Sequence, residues 1–256
     1  MGSDRHLPFA TLPARVMAIN APTVATLFWS MFAAVGVYSQ TDTQPMAIQT
    51  TIPKWNYVWK ISNSGAPGRT ANHQGLFRPE NVNDSPTGIV LTLNQTKTDH
   101  GIASNGAEIV SQNFFGFGTF EFTADMPMGI SGTVSAGFLY LPKSETEIDV
   151  EQQGSHRGRF DLTNWISESS KTSSNVTGFA AGPHKFVIVW NRKVEWRIDG
   201  RVVATHITNT PQKKAHFIFN CWGTNSPNWG GTATVNHQRQ MTVSSFQFTP
   251  LTTGHQ

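Results

Sequence analysis

FGTFEFTADMP, residues 117–127, alternates Phe120 and Phe122 with Glu121 and Thr123 and stops at Pro127. Apolar side chains on one parity and polar ones on the other mark a half-buried β-strand. The following stretch, GTVSAGFLYLP at 132–142, puts Val134, Ala136, Phe138 and Tyr140 on one parity. Further out, GIVLTLNQ (88–95), HKFVIVW (184–190), HFIFNCWG (216–223) and QMTVSSFQF (240–248) also read as strands. KVEWRIDGRVVATH (193–206) carries Asp199-Gly200 between two alternating runs, a strong hairpin signal. From Trp55 onward the pattern is β, and no long helical periodicity interrupts it. Many short strands joined by Gly, Pro and Asn turns predict an all-β, two-sheet antiparallel sandwich or jelly roll.

The N-terminal region reads differently. VATLFWSMFAAVGVY, residues 24–38, is apolar and uncharged, with Arg5 and Arg15 before it. That is the layout of a secretory signal peptide, with Val37 and Ser39 suiting a cut after Ser39. The run is short for a membrane span, which needs about 20 apolar residues. A buried N-terminal helix or a signal anchor is the alternative. The expected organisation is a signal peptide at 1–39, a linker at 40–54 and one large domain at 55–250. The mature chain is expected to be secreted and monomeric, without stable membrane insertion.

Composition narrows the partners. The formal net charge of +3 comes from scattered Lys and Arg without a basic run, so nucleic acid is not an expected partner. The single cysteine, Cys221, cannot form an internal disulfide, and it shares a parity with Phe217 and Phe219, which reads as core. Asn94-Gln-Thr96 and Asn175-Val-Thr177 are N-glycosylation sequons. No His pair has metal-site spacing, and neither Gly-X-Ser-X-Gly nor a Walker pattern is present. No cofactor or catalytic metal is expected, while a structural Ca²⁺ is left open by the sequence.

The chemistry concentrates in SETEIDVEQQG, residues 144–154. Glu147, Asp149 and Glu151 share one strand face, and Ile148 and Val150 point to the core. Three like charges in a row cost stability, which asks for a compensating use. Two carboxylates flanking a glycosidic bond are the usual equipment for cleaving it, set about 5–5.5 Å apart when configuration is retained. Glu147 and Glu151 have Cα atoms roughly 13 Å apart on a straight strand, and their side chains can lean together across that gap. With Asp149 between them, their proton affinities should spread, giving one acid and one nucleophile. Spacing alone does not say which glutamate takes which role. A solvated acidic strand face is the plain alternative.

Aromatic residues nearby suit a sugar site. In HFIFNCWG, Asn220 and Trp222 lie on the parity opposite the phenylalanine stripe. Trp229 sits in the Gly-rich NWGG, and LTNW adds Asn164 and Trp165. Sugars are held by aromatic walls and a few placed polar groups, although a single Trp more often packs than binds.

Taken together, these stretches resemble glycoside hydrolase family 16. EIDVE resembles its E-x-D-x-E motif in the form without an inserted bulge residue. FGFGTFEFTADMP, GTVSAGFLY, LTNW, HKFVIVW, VEWRIDG, FNCWG and NWGG follow in the family's order, and LFRPENV (76–82) and GAEI (106–109) look like its early cleft strands. The likeness spans roughly 55–248. It implies a concanavalin-like β-jelly roll with a concave cleft, and retaining endo-cleavage of β-glucan polysaccharides. It further implies Glu147 as nucleophile, Asp149 as assisting residue and Glu151 as acid/base, with Asn220, Trp222, Trp229, Asn164 and Glu108 along the cleft. Four positions depart from the bacterial mixed-linkage glucanases: Glu145 where they carry Trp, Val110 where they carry Arg, and Gln152-Gln153 where they carry an apolar pair. Hydrolysis of β-1,3/1,4- or β-1,3-glucan is the leading expectation. A cell-wall transglycosylase on the same scaffold and a non-catalytic carbohydrate-binding module are the alternatives.

Overall fold

The computed structural model describes residues 49–252 apart from Arg69 and Ala71. The expected signal peptide lies outside these residues. Among the described residues, no helix is long and apolar enough to cross a membrane.

Among the described residues, seventeen strands follow one another. The first six are β1 (Thr51–Lys54), β2 (Tyr57–Ile61), β3 (Ser64–Gly65), β4 (His73–Phe77), β5 (Val82–Ser85) and β6 (Gly88–Thr98). Next come β7 (Gly101–Phe115), β8 (Gly118–Asp125), β9 (Thr133–Leu141), β10 (Thr146–Gln153), β11 (Arg159–Ser167) and β12 (Ser170–Thr177). The last five are β13 (Pro183–Trp190), β14 (Val194–Ile198), β15 (Arg201–His206), β16 (Ala215–Gly223) and β17 (Gln238–Pro250). The end of the stretch expected to be a linker is therefore structured. β1 pairs with β2 and buries Ile52 in the core.

The strands form an antiparallel jelly roll of two packed sheets. One sheet runs β12–β11–β10–β9–β16–β7–β2–β1. The other runs β15–β14–β13–β8–β17–β6, with β5 also paired to β6. Strand β7 belongs to both: its first half pairs with β6 and, in parallel, with β4, and its second half pairs with β16. The Asp199-Gly200 turn joins β14 to β15 as expected. Both residues have positive φ, 51° and 80°, which a two-residue hairpin of this hand requires.

The core lies between the sheets. Ile148, Val150, Leu162, Phe217 and Phe219 come from one sheet, and Phe120, Phe122, Phe186 and Ile188 from the other. Each fully buried Phe contributes about 1.5–3 kcal/mol relative to exposure. Phe122 stacks on Phe186 at 5.0 Å and meets Phe219 edge-on at 5.2 Å. These rings close over Gly137, where an added Cβ would stand 2.8 Å from the Phe122 ring. The phenylalanine stripe of β16 is thus core, as its parity predicts, and Cys221 lies with it. Burial pushes the Cys221 thiol up to about 12, which keeps it protonated and unreactive.

The stripe Val134, Ala136, Phe138 and Tyr140 takes the opposite side. Tyr140, Phe138 and Ala136 pair with Glu147, Asp149 and Glu151. Directly paired residues share a sheet face, so this stripe lies under the acids and not in the core.

Candidate active site

Strand β10 buries Ile148 and Val150 and turns Glu147, Asp149 and Glu151 to the outer face of its sheet. Its registers with β9 and β11 run without a shift, so the strand carries no bulge. Glu147 and Glu151 are half-buried, whereas Asp149 is only 2% exposed. The middle acid is therefore held inside the structure, and the outer two remain reachable.

Each acid has its own surroundings. The Ser144 hydroxyl donates to Glu147 Oε2 at 2.5 Å. Lys143 and Ser144 both adopt left-handed backbone, φ 66° and 51°, in the turn that brings this hydroxyl back over β10. Such strain in non-glycine residues costs about 1–3 kcal/mol each. Tyr140 stands directly opposite Glu147. Burial raises its phenol above the ordinary value, and the nearby Glu147 charge adds to the rise. The Trp165 indole N–H donates to Asp149 Oδ2 at 3.1 Å, and the Trp196 indole donates to the Asp149 backbone carbonyl at 3.0 Å. These two indoles approach the strand from different sheets and fix the middle acid in place.

Glu151 faces Ala136 on one side and Asp161 on the other. Asp161 is held by Arg159, Nε to Oδ1 at 2.7 Å, and by the Gln153 amide N–H at 2.5 Å. The Gln153 carbonyl oxygen accepts from the Gly230 backbone N–H at 2.8 Å. One buried glutamine thus ties β10 to its neighbour and to the loop that carries Trp229.

Asn220 pairs with Ala136 and so shares the face of Glu151, two strands away, or roughly 10 Å at the usual strand spacing. Its amide donates to Glu108 Oε2 at 3.2 Å, and the Ser62 hydroxyl donates to Glu108 Oε1 at 2.7 Å. Burial raises the Glu108 carboxyl, against the lowering effect of these two hydrogen bonds. The Asn220 carbonyl oxygen is buried and has no protein partner among the described residues. Trp222 follows two residues on and packs with Val134, Phe77, Ala66 and Trp229.

Asn164 does not join this face. It pairs with Ile148 and points toward the other sheet. Its amide donates to the carbonyls of Thr208, at 3.0 Å, and Asn209, and its oxygen meets His206 Nδ1 at 2.6 Å. It anchors the 206–209 segment instead. Its neighbour Trp165 occupies the acid face, opposite Glu147, with the Lys171 ammonium 4.4 Å from its ring centroid. In a strand, adjacent residues exchange faces, so Trp165 and not Asn164 stands on the acid face. Registering β11 against β10 across their turn would have found it.

Other residues of the site carried no motif. Tyr140, Ser144 and Asp161 matter through their partners, which tertiary pairing supplies. The departures also find places. Glu145 is exposed and pairs with Lys213 at 2.8 Å, and that hydrogen bond lowers its carboxyl. Val110 lies in the row of Asp149 and Phe138, beside Lys60. Gln152 is buried on the core side and donates to the carbonyls of Gln153, at 2.7 Å, and His156, at 3.2 Å. Among the described residues, no group of three or more His, Cys, Asp or Glu is gathered as a metal site would need.

The arrangement has known parallels. A β-glucanase of Paenibacillus polymyxa is 29% identical over 184 residues, covering 68% of this chain and 75% of that protein. The Bacillus licheniformis β-glucanase superposes with a TM-score of 0.65 at 19% identity, over 75% of this chain and 91% of that one. The laminarinase catalytic domain of Thermotoga maritima superposes with a TM-score of 0.62 at 17% identity, over 74% of this chain and 90% of that one. These two structural likenesses establish the fold. The sequence profile of glycosyl hydrolases family 16 matches residues 69–244, well over half of the chain, and includes the acidic strand and the aromatic rows around it. The chain therefore belongs to glycosyl hydrolases family 16 and is a glycoside hydrolase acting on O-glycosyl bonds.

Proposed function

We propose that the protein is a secreted, retaining endo-β-glucanase that cleaves β-1,3/1,4- or β-1,3-linked glucan. The observation that carries this reading is the division of β10: two reachable glutamates on either side of a buried, hydrogen-bonded aspartate. Glu147 is the nucleophile. The Ser144 hydroxyl donates to its Oε2 and orients this carboxylate on the strand. It attacks the anomeric carbon while Glu151 protonates the departing glycosidic oxygen, giving a glycosyl ester on Glu147. Glu151, now ionised, takes a proton from water, and the hydroxide so formed displaces Glu147. Asp149 is a positioning residue that sets the two glutamates along the strand.

Glu147→Gln is expected to lower hydrolysis of lichenan and laminarin by at least about 10⁴-fold, because the nucleophile is removed while shape is kept. Circular dichroism and the melting temperature should match the parent. Parent-level turnover by this variant on each glucan the parent cuts would end the proposed mechanism. A second reading, transfer to a sugar acceptor, draws on the unbulged register of β10, a form shared with transglycosylating relatives. Sizing products formed with a labelled oligosaccharide acceptor separates the two, since only transfer lengthens the acceptor.

The apolar run at 24–38 with arginines before it supports secretion.

A further inference from the structure

A row of rings leads away from Glu147 across the acid face. Tyr140 is paired with Glu147, His216 with Tyr140, and Phe114 with His216. Each step is one strand, so Phe114 stands about 14 Å from β10. Its neighbour Phe115 is buried among Tyr57, Phe120 and Phe248, but Phe114 is 54% exposed.

The exposure is built in. Between the pairs His216–Phe114 and Ile218–Val110, β7 runs through Ser111, Gln112 and Asn113 while β16 has only Phe217. The two extra residues make a bulge that leaves Phe114 on the acid face and sets it, in place of Gln112, opposite His216. Ser111 fastens it: its hydroxyl oxygen accepts from the Phe217 backbone N–H at 2.8 Å and its proton goes to the Asn113 carbonyl at 2.9 Å. The Phe114 and His216 rings then lie 3.8 Å apart between centroids, with planes 40° from parallel. His216 Nδ1 is 3.3 Å from the Asn113 carbonyl oxygen. Fixed by its contact with His216, the exposed Phe114 ring offers an apolar face suited to the C–H surface of a sugar.

The position names that sugar. Glu147 and Glu151 lie along β10 and must flank one bond, so the bound glycan crosses the strands and passes over β9, β16 and β7. An extended β-glucan advances by roughly one strand spacing per sugar, so Phe114 meets a sugar about three units from the cut. We propose that Phe114 and His216 form an outlying sugar subsite, in which the Phe114 ring stacks on one pyranose of the same β-glucan chain. This rests on the β-glucanase reading above.

Affinity electrophoresis of the full chain in gels containing barley mixed-linkage β-glucan tests it. Phe114→Ala is expected to weaken binding about three- to tenfold, the scale of one aromatic stacking contact. Phe114→Trp should restore it, and Ile207→Ala, at an exposed residue of another segment, should bind like the parent. Equal retention of the parent and the Phe114→Ala variant, including none for either, overturns the subsite. So does a loss that Phe114→Trp fails to rescue. Turnover of the glucan by the parent is scored separately. A parent that cuts the glucan with Phe114→Ala retained equally removes the subsite alone, and a parent that cuts no glucan removes the enzymatic reading.

Discussion

Asp149 is the residue on which the acidic strand depends. A carboxylate taken almost wholly out of water is costly unless hydrogen bonds reach it, and the Trp165 indole is one that does. The indole of Trp165 also lies on the face of Glu147, so one side chain both supports the strand and borders the candidate site. Trp165→Phe keeps an aromatic ring but removes the N–H together with part of the buried indole. It is expected to cost about 1–3 kcal/mol of stability, the range for depriving a buried polar group of a partner. A fall in kcat of roughly tenfold should accompany it, since the acids lose their fixed spacing. Urea denaturation and steady-state kinetics on the same preparation check both. Unchanged kcat with lowered stability would leave Trp165 a packing residue. None of this was visible from the triplet alone: the alternation placed the three acids on one face, but the buried partner of the middle one came from another strand.

At the scale of elements, β10 is joined to its surroundings on both sides. Gln153 ends the strand with two well-made hydrogen bonds, to Asp161 on β11 and to Gly230 in the Trp229 loop. A substitution that cannot make them leaves the Gly230 N–H without an acceptor and the Asp161 carboxylate short of a donor. Gln153→Leu, which returns the apolar character of the bacterial glucanases, is expected to lower stability by about 2–4 kcal/mol. KM for glucan should rise more than kcat falls, because the loop carrying Trp229 loosens while Glu147 and Glu151 stay on their strand. Thermal melting and a KM-against-kcat comparison test this, and an equal fall of kcat and kcat/KM would place the defect at the acids instead. β7 makes a similar point. Its 15 residues belong to both sheets, and the bulge at 111–113 shifts the register so that Phe114 stands opposite His216. A strand's hydrophobic period shows that it exists, but not where an extra residue shifts its register.

For the whole molecule, the two sheets divide the work. Phenylalanine stripes from both fill the interior, and the polar and charged parities of β10, β16 and β7 gather on one outer face. If the apolar run at 24–38 directs export, protein recovered from the culture medium should begin at Gln40, which N-terminal sequencing would show. A mature protein beginning at Met1, or one retained with the cells, would count against it. The sequence by itself determined the strand pattern, the Asp199-Gly200 hairpin, the core identity of the β16 phenylalanines and the common face of Glu147, Asp149 and Glu151. All of these follow from a period of two, which is local and survives any arrangement of neighbours. It did not determine that Thr51–Lys54 joins a sheet, that Trp165 and not Asn164 stands beside the acids, or that Gln153 ties three segments together. Those outcomes depend on register between strands and on hydrogen bonds between residues far apart in the chain, and only tertiary pairing sets them.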